Sequence, residues 1–316
     1  MKKIVIFGGG SGLSQILKGL KLFPLDITAV VSVADNGAST GRLRKDFNIP
    51  AVGDISKVML AMANADDDLI KLLNYRFTKS QTLGNHSVKN LLLSALLDIK
   101  GNFNDSIPIM MKLLDIKGNI LPLTEDNAEL IGYTVDGKKI IGEEQITKSP
   151  NKIKHVTYDK EIKVNPKVIK AIKEADLIIF STGSLLTSIA PHLISKEVVS
   201  AINTAKADKI YICNLFTQPG ETDNYTVSMH VKTLENYLNQ GKINVVIANN
   251  YFSNNALKET YRSQEQKDPV SLDEETLKQQ NVKVIAGDLA KIEDGVYRHD
   301  SLKTAYLIFS YLMYNE

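Results

Sequence analysis

A chain of 316 residues, 43% hydrophobic and 23% charged, has the material for a sizeable core in one large or two ordinary domains. Lys and Arg number 38 against 36 Asp and Glu, so the net charge of +2 leaves no basic excess for a nucleic-acid surface. The single cysteine, Cys213, excludes an internal disulfide framework and fits a reducing compartment, and no apolar run approaches the ~18 residues of a membrane span. After Met1-Lys2-Lys3 the apolar stretch is only Ile4 to Phe7, too short for a signal peptide, so a cytoplasmic protein is expected.

The first predicted strand, Ile4 to Phe7, breaks into Gly8-Gly9-Gly10-Ser11-Gly12, and a helical pattern of Leu13, Ile16, Leu17 and Leu20 follows. Strand, glycine turn and helix aim free backbone N–H groups and a positive helix end at a bound anion. The spacing departs from a dinucleotide fingerprint, because the third glycine position falls on Leu13. Ile27 to Val33 reads as a buried parallel strand that runs into a second polar loop, Asp35 to Arg44. Its hydroxyls, backbone amides and Arg42 or Arg44 suit phosphate oxygens, while a plain surface loop with a helix cap is the structural alternative.

Gly53-Asp54 opens a helix carrying Ile55, Val58, Met59 and Met62. A helical excursion is expected over 66–115, with Asp66 to Asp68 as capping acids rather than metal ligands and His86 as a structural residue. Over 117–165 the pattern predicts a small antiparallel β insertion, signalled by Asp136-Gly137 between two β-prone runs. Helix and strand then alternate again. Strands ending near Phe180, Cys213, Ala248 and Ala286 run into polar loops at Ser181, Asn214, Asn249 and Gly287, and a helix from Ser301 to about Met313 closes the chain. The whole reads as a single α/β nucleotide-binding domain over 1–316. Its fold class is a Rossmann-like, doubly wound, mainly parallel sheet in three αβα layers, with the helical excursion and the β insertion.

In such sheets ligands bind beyond the carboxyl ends of the strands, where strand order reverses. The loops at Gly8, Asp35, Ser181 and Asn214 share that edge and predict a crevice rich in backbone donors and small hydroxyls. Asp35 suits a ribose hydroxyl, a proton or Mg²⁺, and Asp54 is the other carboxylate candidate for catalysis. No cofactor is certain; Mg²⁺ belongs to the enzyme alternative, and no resident metal site is expected.

Several stretches carry a family likeness. They are Gly8-Gly9-Gly10-Ser11-Gly12-Leu13-Ser14, the loop Val33-Ala34-Asp35-Asn36-Gly37-Ala38-Ser39-Thr40-Gly41-Arg42-Leu43-Arg44, Gly53-Asp54, Gly183-Ser184-Leu185, and Ile212-Cys213-Asn214 with Thr217-Gln218 and Gly220-Glu221-Thr222-Asp223. Through them the chain resembles the bacterial gluconeogenesis factors, relatives of the 2-phospho-L-lactate transferases of deazaflavin coenzyme synthesis. The resemblance implies a bound UDP-sugar of the UDP-N-acetylglucosamine type and a role in cell shape and envelope building during gluconeogenic growth, with envelope-synthesis proteins as partners. The binding residues it implies are Gly9, Gly10, Ser11, Gly12, Asp35, Asn36, Ser39, Thr40, Arg42, Gly183, Ser184, Asn214 and Thr217. Tyr261 and Arg298 join them by position, the ring to stack on uracil and the guanidinium to pair with pyrophosphate.

Asn36 stands where the family carries a second acid, which removes a carboxylate from metal ligation or a two-acid mechanism. The sequence is therefore read as a ligand-binding regulator rather than an enzyme. The alternative is a Mg²⁺-dependent transferase of phosphorus-containing groups, with Asp35 or Asp54 as ligand or base. An NAD(P) dehydrogenase rests on the off-pattern glycines alone.

Overall fold

The computed structural model describes residues 1–239 and 241–314. Strand β1 (Lys2–Gly8) has no polar residue between Ile4 and Phe7, each at most 1% exposed. Successive side chains of a strand point to opposite faces. Ile4 and Ile6 enter one core with Leu13, Ile16 and Leu17 of the helix Gly10–Leu20, whereas Val5 and Phe7 enter a second with Ile178, Phe180 and Ile189. Helices on both faces explain why the strand shows no polar alternation.

The strands β2 (Leu25–Val31) and β3 (Asn119–Pro122) lie to one side of β1. A separate antiparallel sheet, ordered β5-β4-β6, is built from β4 (Leu130–Thr134), β5 (Lys139–Ile141) and β6 (Ile153–Tyr158). On the other side of β1 follow β7 (Leu177–Phe180), β8 (Asp208–Ile212), β9 (Val245–Asn249) and β10 (Lys283–Gly287). The seven-stranded central sheet runs β10-β9-β8-β7-β1-β2-β3 and is parallel throughout, the doubly wound arrangement expected. Strand order reverses between β1 and β7, so their carboxyl ends diverge at Gly8 and Ser181.

Helices Asp67–Asn74, Val88–Lys100 and Phe103–Leu113 occupy the excursion between β2 and β3, and Asp66 caps the first by accepting from Leu69 N at 2.9 Å. The β insertion begins later than its pattern suggested. Residues 119–122 belong to the central sheet, paired with Thr28 to Val31, and only β4 to β6 form the insertion. A four-residue strand ending in Pro122 carries little strand signal, and proline is tolerated there because β3 lies at the sheet edge.

A hairpin went unread in the sequence. It comprises β11 (Ala290–Glu293) and β12 (Val296–His299), joined by Asp294 and Gly295 at φ 52° and 77°. Two consecutive positive φ values make the turn that Asp-Gly favours, so the same dipeptide that marked the first hairpin also marks this one. The helix Ser301–Tyr314 follows and packs through Ala305 and Ile308 into the core of the helix Gly10–Leu20. No single helix among the described residues is long and apolar enough to cross a membrane.

Candidate functional site

The crevice at the switch point has two compartments. The outer, of about 370 Å³, is lined by Asn214, Thr217, Phe216, Tyr261, Tyr297 and Arg298. The inner, of about 290 Å³, is lined by Gly9, Gly10, Asp35, Asp54, Lys57 and Glu143. Ser11, Gly12, Gly183, Ser184 and Gln218 line both and make them one continuous trough.

The shared wall depends on backbone contact. A Cβ on Gly12 would stand 2.3 Å from Thr182 O, so only glycine lets the helix Gly10–Leu20 approach the loop after β7. Asn214 fastens that loop from the next strand: its Oδ1 accepts from Gly183 N at 3.2 Å and its Nδ2 donates to Gly183 O at 2.7 Å. Ser184 Oγ accepts from Thr187 N at 2.8 Å, capping the π-helical turn Leu185–Ile189, and donates to Glu221 Oε2 at 2.5 Å. Gly9 caps the helix Gly10–Leu20 without a side-chain acceptor of its own, and the Asp54 carboxylate takes the Gly10 amide at the helix start.

The inner compartment differs from a bare phosphate cradle. Asp54 Oδ2 would be 2.7 Å from a Cβ on Gly9, so the second glycine position admits a carboxylate of the protein itself. Asp54 also pairs with Lys57 at 3.0 Å, one helical turn on. Burial, and then the neighbouring Asp35, push the Asp54 carboxyl above its ordinary range against the pull of Lys57. Asp35 is held by Gly37 N at 2.9 Å and by Thr40 Oγ1 at 3.0 Å. Glu143, from the β insertion, completes the acidic wall, and burial followed by Asp35 and Asp54 raises it to about 7. Among the described residues, no group of three or more His, Cys, Asp or Glu side chains is placed to hold a metal ion.

The outer compartment is aromatic, with Arg298 as its unpaired cation among the described residues beside the Lys267–Glu265 ion pair at 2.7 Å. Tyr261 stacks on Phe216 with ring centroids 4.4 Å apart, and its hydroxyl accepts from Tyr297 N at 3.0 Å. At 8% exposure Tyr261 is therefore a wall component with one face already covered, not a surface ring. On β12, Tyr297 and His299 turn inward while Arg298 is exposed. His299 donates from Nε2 to Cys213 O at 3.0 Å, which ties this strand to the end of β8 and fixes where Arg298 stands.

Beyond Asp35, the second loop turns its polar side chains to neighbouring elements rather than to the trough. Arg42 donates to Gly84 O and lines, with Asn36, a different cavity between the helix Ala38–Phe47 and the insertion. Asn36 Oδ1 accepts from Glu144 N at 2.9 Å, anchoring the insertion. Ser39 Oγ lies 3.0 Å from His86 Nδ1, and Thr40 is turned to Asp35. Thr217 Oγ1 accepts from Asp268 N at 3.0 Å. Thus Gly9, Gly10, Ser11, Gly12, Asp35, Asp54, Gly183, Ser184, Asn214, Thr217, Tyr261 and Arg298 meet in one trough. Asn36 and Arg42 line the separate cavity, while Ser39 and Thr40 brace the loop.

The sequence reading missed Glu143, Lys57 and Phe216. Lys57 had a legible signal, the i,i+3 spacing from Asp54. Glu143 had none, because the fold alone brings the insertion to the first glycine loop.

Three histidines, His192, His230 and His299, are buried and neutral, each lowered to about 4 chiefly by burial. Unfolded imidazoles titrate near ~6.5, so between that pH and about 4 the unfolded chain takes up protons that the fold refuses. Stability from this source is complete above ~6.5 and is lost as pH falls. Urea midpoints measured across this window should drop, and less steeply in His299→Gln; equal slopes in both proteins would contradict the assignment for His299.

A family model for 2-phospho-L-lactate transferase CofD matches residues 4–290. The chain belongs to the CofD family. Within it, a gluconeogenesis factor of Bacillus subtilis is 40% identical over 98% of this chain and 98% of its own length. A Thermotoga maritima relative is 44% identical over 97% of this chain and 98% of its own. A crystal structure of a Bacillus halodurans protein of the upf0052 family, 38% identical, superposes with a TM-score of 0.94 over 98% of this chain and 99% of that one. The likeness to gluconeogenesis factors thus holds over nearly the full length, and the fold is that of the upf0052-family structure.

Proposed function

We propose that this CofD-family chain binds a nucleotide-sugar of the UDP-N-acetylglucosamine type in the trough. It acts through the liganded state as a cytoplasmic regulator of cell shape and envelope synthesis during gluconeogenic growth, with envelope-synthesis proteins as its partners. The observation that carries the binding reading is the continuity of an aromatic compartment holding Arg298 with an acidic one across Ser11, Gly12, Gly183 and Ser184. A ligand with a flat base, an anionic centre and a hydroxyl-rich end has that same order of chemistry. The physiological role follows the likeness to the gluconeogenesis factors.

UDP-N-acetylglucosamine at ~100 times its dissociation constant should stabilise the protein by about 2.7 kcal/mol. Thermal unfolding with and without the ligand reads this directly, and an unchanged midpoint with every UDP-sugar tried would remove the reading.

A second reading, a phospholactate-transferase-like enzyme, draws on the CofD family model and on the carboxylates of Asp35 and Asp54 in the trough. Asn36 does not count against this reading, because it lies outside the inner compartment, whose carboxylates come from Asp35, Asp54 and Glu143. The described side chains do not form a three-ligand metal set.

A further inference from the structure

We propose that the inner compartment receives the glycosyl moiety, and that Glu143, with Asp35 and Asp54, makes the trough select neutral sugars over sugars that carry a carboxylate. This rests on the nucleotide-sugar reading and adds the orientation of the ligand and the class of sugar it accepts.

The aromatic walls and Arg298 are confined to the outer compartment, whereas Asp35, Asp54 and Glu143 are confined to the inner one. A pyrophosphate lying across the shared glycine and serine wall therefore has its base on the aromatic side and its sugar on the acidic side. Lys57 is the cation lining the inner compartment, and it is already paired with Asp54 at 3.0 Å. Three carboxylates against one paired lysine leave this compartment acidic in sum. Carboxylate oxygens accept from sugar hydroxyls and from an acetamido N–H, and charge-assisted bonds of this type are the stronger ones.

A ligand carboxylate would supply no donor, and it would add a further negative charge in a partly desolvated space.

Glu143 is the member that the β insertion supplies. It faces Asp35, Asp54 and Lys57 from the main domain, with Thr147 Oγ1 donating to its Oε1 at 3.2 Å from its own helix. Glu144, the neighbouring acid, turns to Lys148 at 2.5 Å instead. Because Glu143 is raised to about 7, its charge changes over a range in which neither a UDP-sugar pyrophosphate nor a sugar carboxylate titrates. Selectivity should therefore strengthen as pH rises through that value.

Calorimetric titration of the full chain with UDP-N-acetylglucosamine and UDP-N-acetylglucosaminuronate, which differ only at C6, tests this. At about pH 8 the uronate should bind at least about tenfold more weakly. The ratio should shrink at about pH 6, and in Glu143→Gln it should be below the native ratio at about pH 8 and nearly independent of pH. Equal affinities at about pH 8, or a ratio in the native protein that does not change with pH, would overturn the inference while leaving nucleotide-sugar binding intact. Binding of neither compound would instead remove the reading on which it rests. The pH series uses the native protein, so it decides the matter even if the variant does not fold.

Discussion

Replacing Gly12 with alanine is expected to damage stability and binding together. The added carbon would stand 2.3 Å from Thr182 O and 2.8 Å from Thr182 C, both backbone atoms that cannot rotate away. Either the helix Gly10–Leu20 or the loop after β7 must move, and these are the two faces of the shared wall. Overpacking of this kind costs about 1–3 kcal/mol. Urea unfolding should show that loss, and calorimetry should show affinity for UDP-N-acetylglucosamine reduced by at least about tenfold, equivalent to ~1.4 kcal/mol. A variant with the native unfolding midpoint would mean that the helix and loop have slack at this contact.

Arg298→Ala should separate binding from stability. Its side chain is exposed and has no hydrogen-bond or ion-pair partner among the described residues, so truncation should leave stability within about 0.5 kcal/mol. Hydrogen bonds to charged groups contribute about 1.5–3 kcal/mol, which predicts a dissociation constant raised by about 10- to 100-fold. Arg298→Lys should recover part of the loss, since it restores charge without the planar fork. Native affinity in Arg298→Ala would place the guanidinium in solvent when ligand binds.

Much of the architecture was legible because it depends on local signals. Unbroken apolar runs such as Ile4 to Phe7 and Leu177 to Phe180 announce strands covered on both faces, and glycines after the first announce the turn into a helix. Pro122 hid an edge strand, and Asp294-Gly295 marked a hairpin that was there to be read. The trough was legible only along one edge of the sheet. Its glycine and serine wall follows from loop position, but the direction of each side chain does not. Arg42 and Asn36 share a loop with Asp35, yet the helical excursion and the insertion draw them elsewhere through Gly84 O and Glu144 N. Conversely, Glu143 reaches Asp35 and Asp54 from more than eighty residues away, a meeting that only tertiary structure creates.

That meeting changes what the missing second acid at position 36 signifies. The inner compartment has its carboxylates in spite of Asn36, and Asn36 instead fastens the segment that delivers one of them.

The most direct test is a crystal structure of the protein soaked with UDP-N-acetylglucosamine. The ligand should lie along Ser11, Gly12, Gly183 and Ser184, with its base beside Tyr261 and Phe216, Arg298 at the pyrophosphate and the sugar facing Asp35, Asp54 and Glu143. Ligand bound outside this trough, or an empty trough at saturating concentration, would contradict the account.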